Sequence, residues 1–160
     1  MTPHKQRFRH DPENGVYGDC WRTAIACLLD LDPEEVPHFN DSLDKSGDDV
    51  RMETMEWLSW RALTYITIGW PGELSIKDVL TSVGIQNPHV FYLFSGESRT
   101  GVNHTVIGRG DAIIHDPSLD NSGIVGPCDN GNYYTEFLAP TLILAANEHP
   151  VRSVVDMPGG

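Results

Sequence analysis

The hydrophobic pattern changes period once along this chain, and that switch constrains the fold more than any other feature. Before Pro88 the apolar residues recur at helical spacing. Trp21, Ala24, Ile25, Leu28 and Leu29 make one continuous stripe over 20–30, which predicts a central buried helix. After Pro88 the texture turns β-rich, with apolar runs at 90–94, 102–107 and 112–115. Helices first and an antiparallel sheet second is the α+β arrangement, in which a helical lobe packs on a sheet.

The remaining punctuation fills in that plan. Residues 1–13 read as an extended lead-in, and Asp19 as the N-cap of the central helix. A short turn of helix is expected to start at Asp32, where Pro33, Glu34 and Glu35 follow. A second helix is expected over 49–64, because Met52, Met55, Trp57, Leu58 and Leu63 alternate with charges and no glycine or proline intervenes. Gly69-Trp70-Pro71-Gly72 breaks the chain, and a third helix over 75–83 should end on Gly84 as a left-handed cap. Gly108-Arg109-Gly110-Asp111 reads as a hairpin turn between two strands. Residues 118–132 are rich in Gly, Asn and Asp and read as loop, with further strands at 141–145 and 153–155 and a flexible tail at 157–160.

The chain has 160 residues and 39% hydrophobic content, enough for one domain with its own core. No apolar run approaches the roughly 20 residues a membrane crossing needs, and the first residues lack an apolar signal core. Three cysteines, Cys20, Cys27 and Cys128, cannot all pair, and their spacing fits no zinc or disulfide framework, so a reducing, cytoplasmic setting is expected. A net charge of −12 argues against nucleic-acid binding, which needs cations to displace counterions. Acids concentrate between Asp30 and Asp49; this stretch reads first as a solvated face and second as a contact surface for a basic partner. No histidine pair has metal spacing, and no dinucleotide or phosphate-loop motif is present, so no cofactor is expected.

Chemistry concentrates in two short segments. Gly18-Asp19-Cys20-Trp21 puts a thiol where a loop gives way to a helix, and helix N-termini stabilise thiolates. Asn103-His104-Thr105-Val106 delivers a histidine on a strand, as a base that pairs with the thiol and later protonates the leaving group. Cys27 reads as core, and Cys128 has no base near it in sequence. His115 and Asp116 compete to orient His104, because neighbours on a strand point to opposite faces. A two-residue hairpin loop puts His115 across from His104; a three-residue loop puts Asp116 there. A carboxylate is the better partner, since it fixes the tautomer and stabilises the cation.

On these residues the chain resembles the papain-like cysteine peptidase superfamily. Gly18-Asp19-Cys20-Trp21 is similar to its nucleophile motif. Asn103-His104-Thr105-Val106 is similar to the strand carrying its histidine, and His115-Asp116-Pro117 to the Asp-Pro that closes the triad in the bacteriocin-leader (double-glycine) peptidases. A histidine in the third place, as in NlpC-type peptidoglycan peptidases, is the alternative. The resemblance implies a papain-like fold and a Cys20–His104–Asp116 triad. In the papain-like pattern a glutamine lies six residues before the nucleophile; Asn14 holds that offset here, which makes it the expected oxyanion donor. Asp19 departs from the pattern by placing a carboxylate beside the thiol.

What the resemblance implies about function is a cysteine hydrolase that cleaves a peptide or isopeptide bond in an extended segment through a thioester. It also implies an accessory protein of a bacterium or bacteriophage. Peptidoglycan hydrolysis, glutamine deamidation or acyl transfer on the same fold, and a catalytically silent binding protein, are the alternatives.

Overall fold

A computed structural model describes residues 1–141 of the chain. Three helices and five strands follow one another as α1 (Cys20–Leu29), α2 (Gly47–Ser59), β1 (Leu63–Pro71), α3 (Ile76–Gln86), β2 (Phe91–Glu97), β3 (Asn103–Arg109), β4 (Ala112–His115) and β5 (Asn132–Pro140). The strands form one sheet in the order β1-β5-β2-β3-β4, with every pairing antiparallel. The fold is thus mixed α+β with helices on an antiparallel sheet.

Strand alternation divides the core between the two faces of the sheet. On one face Leu93 and Ile107 pack with Ala24, Ile25 and Cys27 of α1 and with Trp57 and Leu58 of α2. On the other face Tyr92, Phe94 and Val106 pack with Val79, Leu80 and Val83 of α3. The apolar stripe over 20–30 is therefore the buried face of α1, as its spacing predicts. α2 starts at a capping box in which Ser46 and Asp49 exchange hydrogen bonds, two residues earlier than expected.

Several expectations change. The second helix does not run to residue 64: it ends at Ser59, the chain turns through Ala62 at φ 54°, and Leu63 begins β1. Thr64, Ile66, Thr67 and Ile68 are β-branched, and nine consecutive residue pairs with β5 outweigh a local pattern that fits either period. Gly84 lies inside α3, not at its end. A Cβ there would stand 2.7 Å from the Asp111 backbone nitrogen, so glycine is needed where the helix crosses the β3–β4 hairpin. The 118–132 loop gives way to β5, a strand not anticipated. The strands expected at 141–145 and 153–155 and the tail at 157–160 lie outside the described residues, apart from Thr141, whose N–H donates to the Ala62 carbonyl.

The acidic stretch is largely occupied with local structure. Asp32 and Asp49 take part in capping boxes, Asp41 pairs with Lys45 at 3.0 Å, and Asp48 pairs with Arg51 at 3.5 Å. No helix among the described residues is long and apolar enough to cross a membrane.

Candidate active site

Cys20 is the first residue of α1, where backbone N–H groups have no partner within the helix. Asp19 is not a side-chain cap, contrary to expectation. Its carboxylate is buried, accepts the Phe8 N–H at 2.9 Å, and accepts Arg22 Nε at 3.1 Å. A second Arg22 nitrogen lies 3.1 Å from the same oxygen, so the negative charge beside the thiol is compensated one helical turn away. The Asp19 carbonyl accepts the Thr23 N–H and hydroxyl, which fixes the first turn.

His104 stands near the start of β3, 5% exposed. Its Nε2–H donates to Asp116 Oδ1 at 2.8 Å. Because Nε2 is occupied, the other ring nitrogen, Nδ1, is the one available to the thiol. Cys20 lies beside the ring and raises the imidazole pKa both by hydrogen bonding and by charge. Burial pulls the imidazole down, yet the bonds and charges of Asp116 and Cys20 outweigh it and lift it to about 9. For Asp116 burial acts upward, and donors from His104, Ser118 and Gly123 outweigh it, holding the carboxyl well below the usual range.

A β-bulge chooses Asp116 over His115. The hairpin loop is Gly110-Asp111, with Arg109 opposite Ala112 and Gly108 opposite Ile113, a register neither expected loop would produce. Ile107 then faces His115, so Ile114 is an extra residue in β4. Without it, His115 would fall opposite Val106 and share the face of His104. The bulge moves His115 to the Ile107 face, where its Nε2–H donates to the His4 carbonyl at 2.7 Å, and returns Asp116 to the face of His104.

The expected oxyanion donor is not brought to this place. Asn14 ends a short 3-10 turn, Pro12–Asn14, closed by Gly15 at φ 70°, and its side-chain amide donates to Asp11 Oδ2 at 2.8 Å on the surface. The Asn-Gly pair serves as a turn, one of its commonest uses. Side-chain amides in the cleft wall come instead from Gln6 of the lead-in, Asn40 and Asn103. Gln6 is 8% exposed, its Nε2 donates to the Phe8 carbonyl at 2.7 Å, and its second amide hydrogen has no partner among the described residues. Its offset from Cys20 carries no motif; the only sequence signal was a glutamine within a lead-in otherwise rich in charge.

Cys20 and His104 open on a cleft of about 870 Å³, walled also by Gln6, Asn40, Glu97 and Leu119. Cys128 lines it too but is buried, and burial pushes its thiol up to about 11. Cys27 lies in the core with its thiol likewise pushed up by burial. Among the described residues no group of three or more His, Cys, Asp or Glu side chains could hold a metal ion. No family model, curated protein or solved structure matches the chain.

Proposed function

We propose that the protein is a cysteine hydrolase of papain-like design, acting on a peptide or isopeptide bond. The observation that carries this reading is one buried imidazole with Asp116 on one nitrogen and the Cys20 thiol on its other side, at a helix N-terminus in a cleft wall. A pKa near 9 keeps His104 cationic at neutral pH, so it carries the proton that the leaving amine needs. The Cys20 sulfur attacks the scissile carbonyl carbon, forming an S–C bond and an oxyanion. The free N–H of Cys20 and the spare hydrogen of Gln6 Nε2 are the donors for that charge. Collapse breaks the C–N bond as His104 gives its proton to the leaving amine. Water, deprotonated by His104, then attacks the thioester, releasing the carboxylic acid and restoring the thiol. Asp116 fixes the ring so that the nitrogen facing sulfur is the one that exchanges protons.

An extended peptide ending in a vinyl sulfone, offered to the full chain, tests this directly. The expected result is a single adduct on Cys20, absent in Cys20→Ala and slowed at least about 100-fold in His104→Ala. Cys27 and Cys128 should stay unmodified. Labelling of Cys20 at equal rates with and without His104 would remove the hydrolase reading.

A further inference from the structure

We infer that Lys5 is a positioning residue: it holds the loop after β4 in the conformation that presents Asp116 to His104. Lys5 Nζ donates to the carbonyls of Asp116 and Ser118, each at 2.7 Å, and to Asn121 Oδ1 at 2.6 Å. All three ammonium hydrogens are thereby used on one loop. Between those two carbonyls lies the Pro117–Ser118 peptide unit. Its C=O accepts the Gln6 N–H at 2.8 Å, and its N–H donates to Asp116 Oδ1 at 2.8 Å. That is the oxygen His104 donates to. A peptide unit is planar, so fixing its carbonyl aims its N–H. Residues 5 and 6 thus grip three successive peptide units around the carboxylate, and the lead-in is anchored at its other end by Phe8 N–H on Asp19, next to Cys20.

Carbonyl oxygens converging on one point repel each other, and the ammonium is what lets them converge. Without it the loop opens, the Ser118 N–H swings off Asp116, and the carboxylate loses its hold on the imidazole. The sign of the effect separates this role from simple electrostatics. Removing a cation near His104 by charge alone raises the imidazole pKa; loosening Asp116 lowers it. The other groups facing the ring are Cys20 from α1 and Asp116 itself, and those around the cleft are Arg9, His10, Glu97, Asp120 and Asp129; none of them is altered by a substitution at Lys5.

The test is an NMR titration of His104 in the full, ¹⁵N-histidine-labelled chain. Lys5→Met should lower its pKa by about half a unit or more, a threefold or larger drop in the ratio of imidazolium to imidazole. Lys5→Arg, which keeps charge and donors, should restore it. Asn121→Ala, which removes one acceptor and leaves the lysine, should shift it less in the same direction, and it carries the test if Lys5→Met does not fold. An unchanged or raised pKa in these variants overturns the role. The inference bears on catalysis only through the proposed hydrolase, and the readouts are separate. A lowered pKa without reaction of Cys20 would sink the hydrolase alone, while a reactive Cys20 with an unmoved pKa would sink Lys5 alone.

Discussion

Two carboxylates of this sheet, one half-buried beside β4 and one buried in β5 with two strands between them, end up in opposite charge states. Asp116, just past β4, collects the imidazole of His104 and the N–H groups of Ser118 and Gly123, and it is held ionised. Glu136, in the middle of β5, sits between Thr67 of β1 and Leu93 of β2 in the register. It is 7% exposed, and its Oε2 has no partner among the described residues. Burial alone pushes its pKa up to about 8, so it keeps its proton at neutral pH. Depth and donors decide the charge together: Glu136 is the deeper and burial alone sets its state, while at Asp116 donors outweigh burial beside the imidazole.

The most severe way to break the contrast is to take the charge off Asp116 while keeping its shape. Asp116→Asn should lower kcat by about 10²–10⁴-fold, because an amide neither stabilises the imidazolium nor dictates the tautomer. His104 should then titrate closer to the ordinary histidine value. Retention of full turnover would mean that the donors around Asp116 serve only the loop. In the unaltered protein the raised His104 pKa contributes stability that is complete below about 6.5 and lost as pH rises through 9. The depressed Asp116 contributes stability present above about 4 and lost as pH falls through its folded value.

Glu136 should behave in the reverse sense. A carboxyl with a raised folded pKa costs nothing below its unfolded value of 4.5, costs progressively more up to about 8, and costs a constant amount beyond. Glu136→Gln should therefore match the parent near pH 4 and gain on it with rising pH, by up to about 5 kcal/mol at pH 8 and above. Urea unfolding across pH 4–9 measures the difference, and the alkaline loss left in the variant should be the decline between about 6.5 and 9 that belongs to His104. Equal pH profiles for the two proteins would show that Glu136 has a charge partner after all.

How legible these regions were follows from how local their signals are. Cys20 with its apolar helix, and His104 within a β-rich run, could be read because each residue's immediate neighbours announce the element that carries it. Asp116 was legible as the better partner for His104 on chemical grounds, and the two are bonded, but the strand register that brings them together was not legible. The choice against His115 rests on one extra residue, Ile114, and a bulge leaves no trace in an alternating apolar run. β1 and β5 escaped for a related reason. They pair with each other over nine residues across some seventy positions of chain, and only that ladder turns 63–71 away from helix. Glu136 was missed with β5, because a lone glutamate looks solvated until its strand is known to be central. Asn14 failed differently: an offset taken from a resemblance competed with the Asn-Gly turn signal at the same residues, and the turn prevailed.

Gln6 sharpens the comparison at a smaller scale, since its Oε1 and Glu136 Oε2 are the buried side-chain atoms left without partners among the described residues. An unpartnered acceptor in mid-sheet is a cost to stability, and so is Gln6 Oε1, but Gln6 also carries an Nε2 whose one bond, to the Phe8 carbonyl, leaves its second hydrogen uncommitted on the cleft wall. The two should separate by what they change. Gln6→Ala should lower kcat about 100-fold with KM nearly constant, the pattern of a donor used only as charge develops on the attacked oxygen. Asn14→Ala, at a surface turn with its amide already on Asp11, should change kcat less than about twofold, the ordinary range of a surface substitution. If the larger loss falls on Asn14 instead, Gln6 is not the donor, and the turn swings into the cleft when substrate binds.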